Sequence, residues 1–249
     1  MKKTKLLTLS LVIAVILMGA GYAAWQEQLQ IDNVVATGKL AIEFQSDVIH
    51  PIFGSFDNLL LEDDYFGFTE VDQDTNTVSV TVDGLYPGTT FLYDLRAKNV
   101  GTIPAIVEDV TVDLSKTNDL LDENLRVSGF VTHLTKKKVP ILGDVDWVEN
   151  FIPIIDIKLS ELETVLDGMK GWNIKIGDNI LFDVPRADYH NLPENLDEIK
   201  QAIANAVPGY DPESNNCLIY HLPYSTGNDL QNLSSQQFDL TFSFKQFNK

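Results

Sequence analysis

The segment Phe238 to Phe247 alternates without a break. Phe238, Leu240, Phe242, Phe244 and Gln246 fall on one side of an extended chain, and Asp239, Thr241, Ser243, Lys245 and Phe247 on the other. Successive strand side chains point to opposite faces, so this period of two predicts a strand with one face against a core. The alternation recurs at Leu40 to Phe44, Thr77 to Val82, Phe91 to Val100, Ile106 to Leu114 and Leu125 to Leu134. Strands that bury one face must stack that face on another layer. The expected fold is therefore mainly β, an antiparallel sandwich.

Turn chemistry divides these segments. Leu85-Tyr86-Pro87-Gly88 places proline then glycine at the centre of a type II turn, and Asn99-Val100-Gly101-Thr102 forms a second turn. Together they predict a meander of three antiparallel strands. Helical spacing is confined to the middle. Ser160 is placed to cap a helix through Leu162, Val165, Leu166 and Met169, with Glu163 at its third position and Gly168 or Gly171 near its end. A second helix is expected between Pro193 and Ala206, where Leu196, Ile199, Ile203 and Val207 share a face. The stretch from Thr135 to Pro212 reads as helical and loop insertions in the sandwich.

Lys2, Lys3 and Lys5 precede an uncharged run from Leu6 to Met18, followed by the small residues Gly19, Ala20, Gly21, Ala23 and Ala24 around Tyr22. That order is the layout of a secretory signal peptide, here residues 1 to 23, with cleavage expected after Ala23 or Ala24. The remaining 24–249 is expected to be one β-sandwich domain with its insertion at about 135–212. The chain has 18 basic and 36 acidic residues, and losing the three leader lysines takes the net charge from −18 to −21. Such a balance argues against nucleic acid or an anionic membrane face as partner. The membrane is expected to be met only through the leader. Cys217 is the one cysteine, so no internal disulfide forms, and it heads the strand-like Leu218-Ile219-Tyr220-His221-Leu222.

Gly21-Tyr22-Ala23-Ala24-Trp25, then Val35-Ala36-Thr37-Gly38-Lys39-Leu40-Ala41-Ile42, resembles the TasA and camelysin family of Firmicutes. The likeness continues in Leu85-Tyr86-Pro87-Gly88, in Lys98-Asn99-Val100-Gly101, and in the closing strand Phe238-Asp239-Leu240-Thr241-Phe242-Ser243-Phe244. It covers roughly residues 1 to 45, 77 to 115 and 217 to 248 and leaves the middle unmatched. The resemblance implies a leader removed by a dedicated signal peptidase and a jelly-roll-like sandwich that builds extracellular fibres of the biofilm matrix. It also implies that the freed N-terminal segment adds as a strand to the next subunit, a copy of the same chain or a related fibre protein. The residues are compatible with such a donor strand: Trp25, Leu29 and Ile31 share one face of an extended segment, with Glu27 its single polar interruption, and Gln26, Gln28 and Gln30 fall on the other. Burying three such side chains contributes roughly 5 to 9 kcal/mol before ordering entropy is subtracted.

The resemblance also raises a secreted metallopeptidase as the alternative, since camelysin relatives have been described as zinc proteases. His50, His133, His190 and His221 are scattered and no His-Glu-X-X-His occurs, so the expectation is no catalytic centre and no enzyme. Nor is there a Gly-X-Ser-X-Gly elbow or a phosphate-binding glycine loop. For cofactors the expectation is none, with calcium the one candidate. Asp72, Asp74 and Asn76 have the spacing that turns oxygens toward one cation, and Asp83 stands where a closing glutamate belongs. Thr77 occupies the glycine position of such a loop, so an ordinary polar hairpin competes with the metal site. A third function is a surface adhesin, with Trp147, Trp172 and Tyr189 as an aromatic sugar platform or as core.

Overall fold

The computed structural model describes residues 2–25, 38–49, 67–83, 85, 87–182, 189–207, 218–227, 229 and 235–247. They belong to two compact units, Met1–Thr37 and Gly38–Lys249. In the first, helix α1 spans Lys2–Trp25. Leu9, Leu11, Val12, Ile13, Val15, Ile16, Leu17 and Met18 are all exposed on it, so its apolar surface is not confined to one stripe.

The second unit is an antiparallel β-sandwich. One sheet joins β1 (Ile42–Ile49), β4 (Thr90–Asn99), β10 (Leu218–His221), β6 (Arg126–Val139) and β7 (Gly143–Lys158) in that order. The short β9 (Asn179–Phe182) lies in line with β10 between β4 and β6: β10 fills the slot at Thr90 to Tyr93, and β9 at Leu95 to Lys98. The other sheet has the order β2 (Gly67–Asp72), β3 (Thr77–Val82), β11 (Gln236–Gln246), β5 (Ala105–Lys116), β8 (Asn173–Ile174). Phe238, Leu240 and Phe242 of β11 are buried in the core between the sheets with Val78, Val80 and Val82 of β3, as their alternation required.

The expected meander is corrected. Strands β3, β4 and β5 do not pair with one another, because β4 lies in the first sheet and β3 and β5 in the second. The two turns carry the chain across the sandwich rather than reversing it within one sheet. At the first, Gly88 has φ +92°, its amide donates to the Leu222 carbonyl at 2.6 Å, and a Cβ there would stand 2.3 Å from the Tyr224 ring. Glycine is required there by the positive φ and the contact alike.

The middle of the chain is also corrected. Thr135 to Pro212 is no insertion of helices and loops alone, since it carries the end of β6, the whole of that strand's partner β7, and β8 and β9. Pro153 sits inside β7, opposite Phe130, and is tolerated because β7 is an edge strand. Helices do occur: α2 (Asp119–Asn124), α3 (Leu162–Leu166) between two 3-10 turns, and α4 (Leu196–Ala206). Ser160 does not cap α3, for its hydroxyl reaches Glu123 at 3.3 Å instead. Helix α4 places Leu196, Ile199, Ile203 and Val207 against Leu92, Phe130 and Ile219, so the first sheet is buried on both faces.

Candidate functional site

Strand β1 forms one edge of the first sheet, and its start is fixed by two glycines. Residues 39–41 lie along the turn after β4: the Val100 and Gly101 amides donate to the Ala41 carbonyl, both at 3.0 Å, and the Thr102 amide donates to the Lys39 carbonyl at 2.8 Å. A Cβ on Gly101 would come within 2.5 Å of the Lys39 oxygen, and one on Gly38 within 2.0 Å of the Ile103 side chain. Asn99, fully buried, completes the joint, accepting from the Gly101 amide at 2.9 Å and donating to the carbonyls of Ile103 and Ile174. The Gly38 and Asn99-X-Gly101 motifs, distant in sequence, thus meet in space.

Beyond this joint the outer side of β1 has one main-chain contact among the described residues, and a side chain supplies it. The Phe44 amide donates to Gln73 Oε1 at 3.0 Å, and the Phe44 carbonyl accepts from Gln73 Nε2 at 2.7 Å. The glutamine amide thereby presents the same donor and acceptor pair that a neighbouring strand would present. Gln73 belongs to the turn between β2 and β3, so it links the edge of one sheet to the edge hairpin of the other. Strands β1 and β2 lie beside each other here with no ladder between them.

The opposite edges are closed differently. Outside β5, Val107 exchanges main-chain bonds with Trp172 and Gly171 at 3.0 and 2.8 Å, and β8 pairs with Ala105 and Ile106. Further along, the Val112 amide donates to the Glu163 carboxylate at 2.8 Å, and Lys170 is held between Asp109 and Asp167 at 2.9 and 2.8 Å. That ammonium is pushed upward in pKa by Asp167 and Asp109, and Asp109 is held below the usual carboxylate range by Lys170. On β7, His190 bonds across to Asp146 and Val148, and Asn191 Nδ2 donates to the Val148 carbonyl at 3.0 Å.

Of the residues singled out from sequence, Ala23 and Ala24 lie at the end of α1 and Trp25 is its last residue. Leu29, Ile31, His50 and Cys217 lie outside the described residues. Asp72, Asp74 and Asn76 share the β2–β3 turn, where Asp72 Oδ1 accepts from the amides of Asp74 (2.9 Å) and Thr75 (3.3 Å) and Asn76 takes φ +53°. Asp83 follows the far end of β3, about 20 Å from the turn at about 3.4 Å per residue, so one cation does not reach all four. Among the described residues no group of three or more His, Cys, Asp or Glu side chains is placed to hold a metal ion.

Two of the described histidines, His133 and His221, are buried and bonded within the fold, while His190 is exposed. His133 is fully buried, its Nε2 2.9 Å from Asp178 Oδ2 and its Nδ1 2.9 Å from the Asn150 amide, and its ring stacks on Trp172. Asp178 also accepts from the Lys175 amide, and its own carbonyl accepts from Asn99. This cluster ties β6, β7 and the β8–β9 connection together. His221 Nδ1 lies 2.7 Å from the Thr90 hydroxyl, and burial pushes its pKa down. The three aromatic candidates form no open platform: Trp172 is buried, Tyr189 packs against a small core, and Lys137 covers a face of half-buried Trp147 at 4.1 Å.

Gln73 was invisible to sequence reasoning. A glutamine after Asp72 reads as one more polar turn residue, and its partner stands 29 positions away. No family model, no curated protein and no solved structure matches this chain.

Proposed function

We propose that this chain is a secreted structural subunit that assembles into extracellular fibres by β-strand addition, and that it acts without a catalytic centre or cofactor. The observation that carries the reading is the Gln73 amide standing in for a strand on β1. Main-chain pairing is the mode by which an extended peptide joins a sheet edge, and an edge met, among the described residues, by one side chain would accept a strand at the loss of two hydrogen bonds. The occupant in this reading is the segment Trp25 to Ile31 of a second copy, or of a related fibre subunit, freed when a signal peptidase cuts after Ala23 or Ala24.

Two further features support it. The short apolar run of α1 behind its lysines suits a cleavable secretory leader. The alternation of β3, β4 and β5 between the two sheets is the connectivity that a jelly-roll-like sandwich uses. The net charge sets a condition: copies this acidic repel, so growth is expected to rise with salt or falling pH. Electron microscopy of the processed chain tests the reading. Fibres are expected from the intact processed protein and none after deletion of Trp25 to Ile31; fibres of unchanged yield from the deletion variant overturn strand donation.

A further inference from the structure

The β6–β7 hairpin runs past the rest of its sheet. The last partner of β6 other than β7 is Asn179, opposite Leu134, and the last partner of β7 other than β6 is His190, beside Trp147. From there Thr135 to Val139 pair with Trp147 to Gly143, a two-stranded arm about 15 Å long at about 3.4 Å per residue, with no other strand beside it among the described residues and one main-chain bond at its base, from His190 to Asp146. At its apex Ile141 is 105% and Leu142 67% exposed, next to exposed Pro140. Ile141 is also held at φ +78°, a left-handed conformation that a β-branched residue ordinarily avoids. A strained backbone that turns an apolar side chain fully into water has no explanation in the stability of the fold.

The charges behind the apex set the arm apart from the rest of the molecule. Lys136, Lys137 and Lys138 follow one another on β6. Lys136 pairs with Asp146 at 2.6 Å and Lys137 with Glu149 at 3.3 Å. Lys138, nearest the apex, has Asp144 opposite in register but no ion pair among the described residues. In a chain of net charge −18, the arm beyond Thr135 carries three lysines against Asp144 and Asp146.

We propose that this arm is a membrane probe: Ile141 and Leu142 enter the interfacial layer of a lipid bilayer while Lys138 meets headgroup phosphates. A convex apex of two aliphatic side chains suits a bilayer, which needs no matching hollow, better than a second copy. The depression lined by Glu70, Asp72, Thr75, Thr77, Ser79 and Lys116 is polar and offers such an apex nothing. The arm also keeps the acidic body about 15 Å behind its tip, beyond the Debye length of about 8 Å at physiological salt. Repulsion from an anionic surface is thereby screened where the tip touches. This contact is separate from strand addition and from the leader, and it holds for a monomer as well as for a fibre.

Co-sedimentation with vesicles tests it, using the chain without its leader, because the Gly38–Lys249 unit has its own core. Binding to vesicles of phosphatidylcholine with 30% phosphatidylglycerol in about 0.15 M salt is expected. The double variant Ile141→Ser, Leu142→Ser should bind at least tenfold more weakly with an unchanged melting temperature, since both side chains stand in water. Lys138→Gln should weaken binding severalfold on the anionic vesicles and little on pure phosphatidylcholine. Failure of the unmodified chain to sediment, or equal sedimentation of the double variant, overturns the proposal. So does a lipid-free oligomer that the double variant dissolves, which would assign the apex to a second copy.

Discussion

The two ends of the sandwich close their sheets by different means. Beside β5, the chain's own main chain does the work: residues 171–174 pair with the strand, and Glu163 and the Lys170 cluster cover what remains. Beside β1, the outer edge at Phe44 is met by the tip of one glutamine. The first closure is covalently built into the domain and comes off only as the domain unfolds. The second depends on two hydrogen bonds from a flexible side chain, each with a net value of about 0.5 to 1.5 kcal/mol. In the proposed assembly, a partner strand would exchange those bonds for a ladder at β1, whereas at β5 the main chain of residues 171–174 already occupies the edge.

The largest effect is expected on the closed side. Asp178 supports the β8–β9 connection through its buried carboxylate, bonded to His133 and the Lys175 amide. Asp178→Ala leaves both without an acceptor in a site closed to water and should cost about 3 to 5 kcal/mol in urea unfolding. A loss under 1 kcal/mol would show that the cluster joining β6, β7 and the β8–β9 connection is no more firmly fixed than the Gln73 contact at β1.

Next comes Gly101→Ala. The added Cβ meets the Lys39 and Ala41 backbone at 2.5 and 2.8 Å, with no flexible side chain to yield. Overpacking of this kind costs about 1 to 3 kcal/mol. The loss should appear as faster hydrogen exchange at the Val100 and Thr102 amides, with Val107 on the β5 side unchanged. Matching acceleration at Val107 would mean that the two edges open together.

How much of this contrast could be read from the sequence follows from which interactions are local. The strands β3, β5 and β11 were legible because one face meets the core and the alternation survives, whereas β4 and β6, buried on both faces for most of their length, were legible from their strand-forming residues and the turns that bound them. The helix α4 was legible for the same reason at its own period. Strand β7 was not, because Pro153 interrupts it and the edge position that makes proline harmless is a property of the assembled sheet. The two turns were correctly placed by Pro87-Gly88 and Asn99-X-Gly101, yet turn chemistry says where a chain bends and not which sheet the next strand joins. Gln73 was illegible for a related reason: its role exists only once Phe44 has been brought beside it. The proposed donor segment is the reverse case, a pattern at Trp25, Leu29 and Ile31 that is clear in sequence, with Leu29 and Ile31 outside the described residues.

Gln73→Ala bears directly on the contrast. Removing the amide should destabilise the domain by only about 1 to 2 kcal/mol, while protection of the Phe44 amide collapses. If β1 receives a neighbouring strand, fibre growth of the processed chain should accelerate severalfold, because the competing side chain is gone. Growth at an unchanged rate, with Phe44 deprotected in the monomer, would move the acceptor edge elsewhere.

The smallest expected effect comes from pH, through the turn that carries Gln73. The Asp72 carboxylate is held below the usual carboxylate range by the Thr75 hydroxyl first, then by the amides of Asp74 and Thr75. The folded protein therefore keeps this group ionised at a pH where the unfolded chain has already taken up a proton. Its support for the turn is complete above the unfolded value of about 3.9 and is lost as pH falls through the lower folded value. Because the carboxylate is fully exposed, the change in global stability is small, and the readout should be local. The protection factor of the Phe44 amide, referred to that of Val80 in the core, should fall with acidification below about pH 3.9. Asp72→Asn keeps an oxygen acceptor without the titrating charge, so it should flatten that pH dependence and leave protection at neutral pH nearly unchanged. An unaltered acid profile in the variant would show that Gln73 holds Phe44 independently of its turn, and that the β1 edge is opened by the glutamine alone.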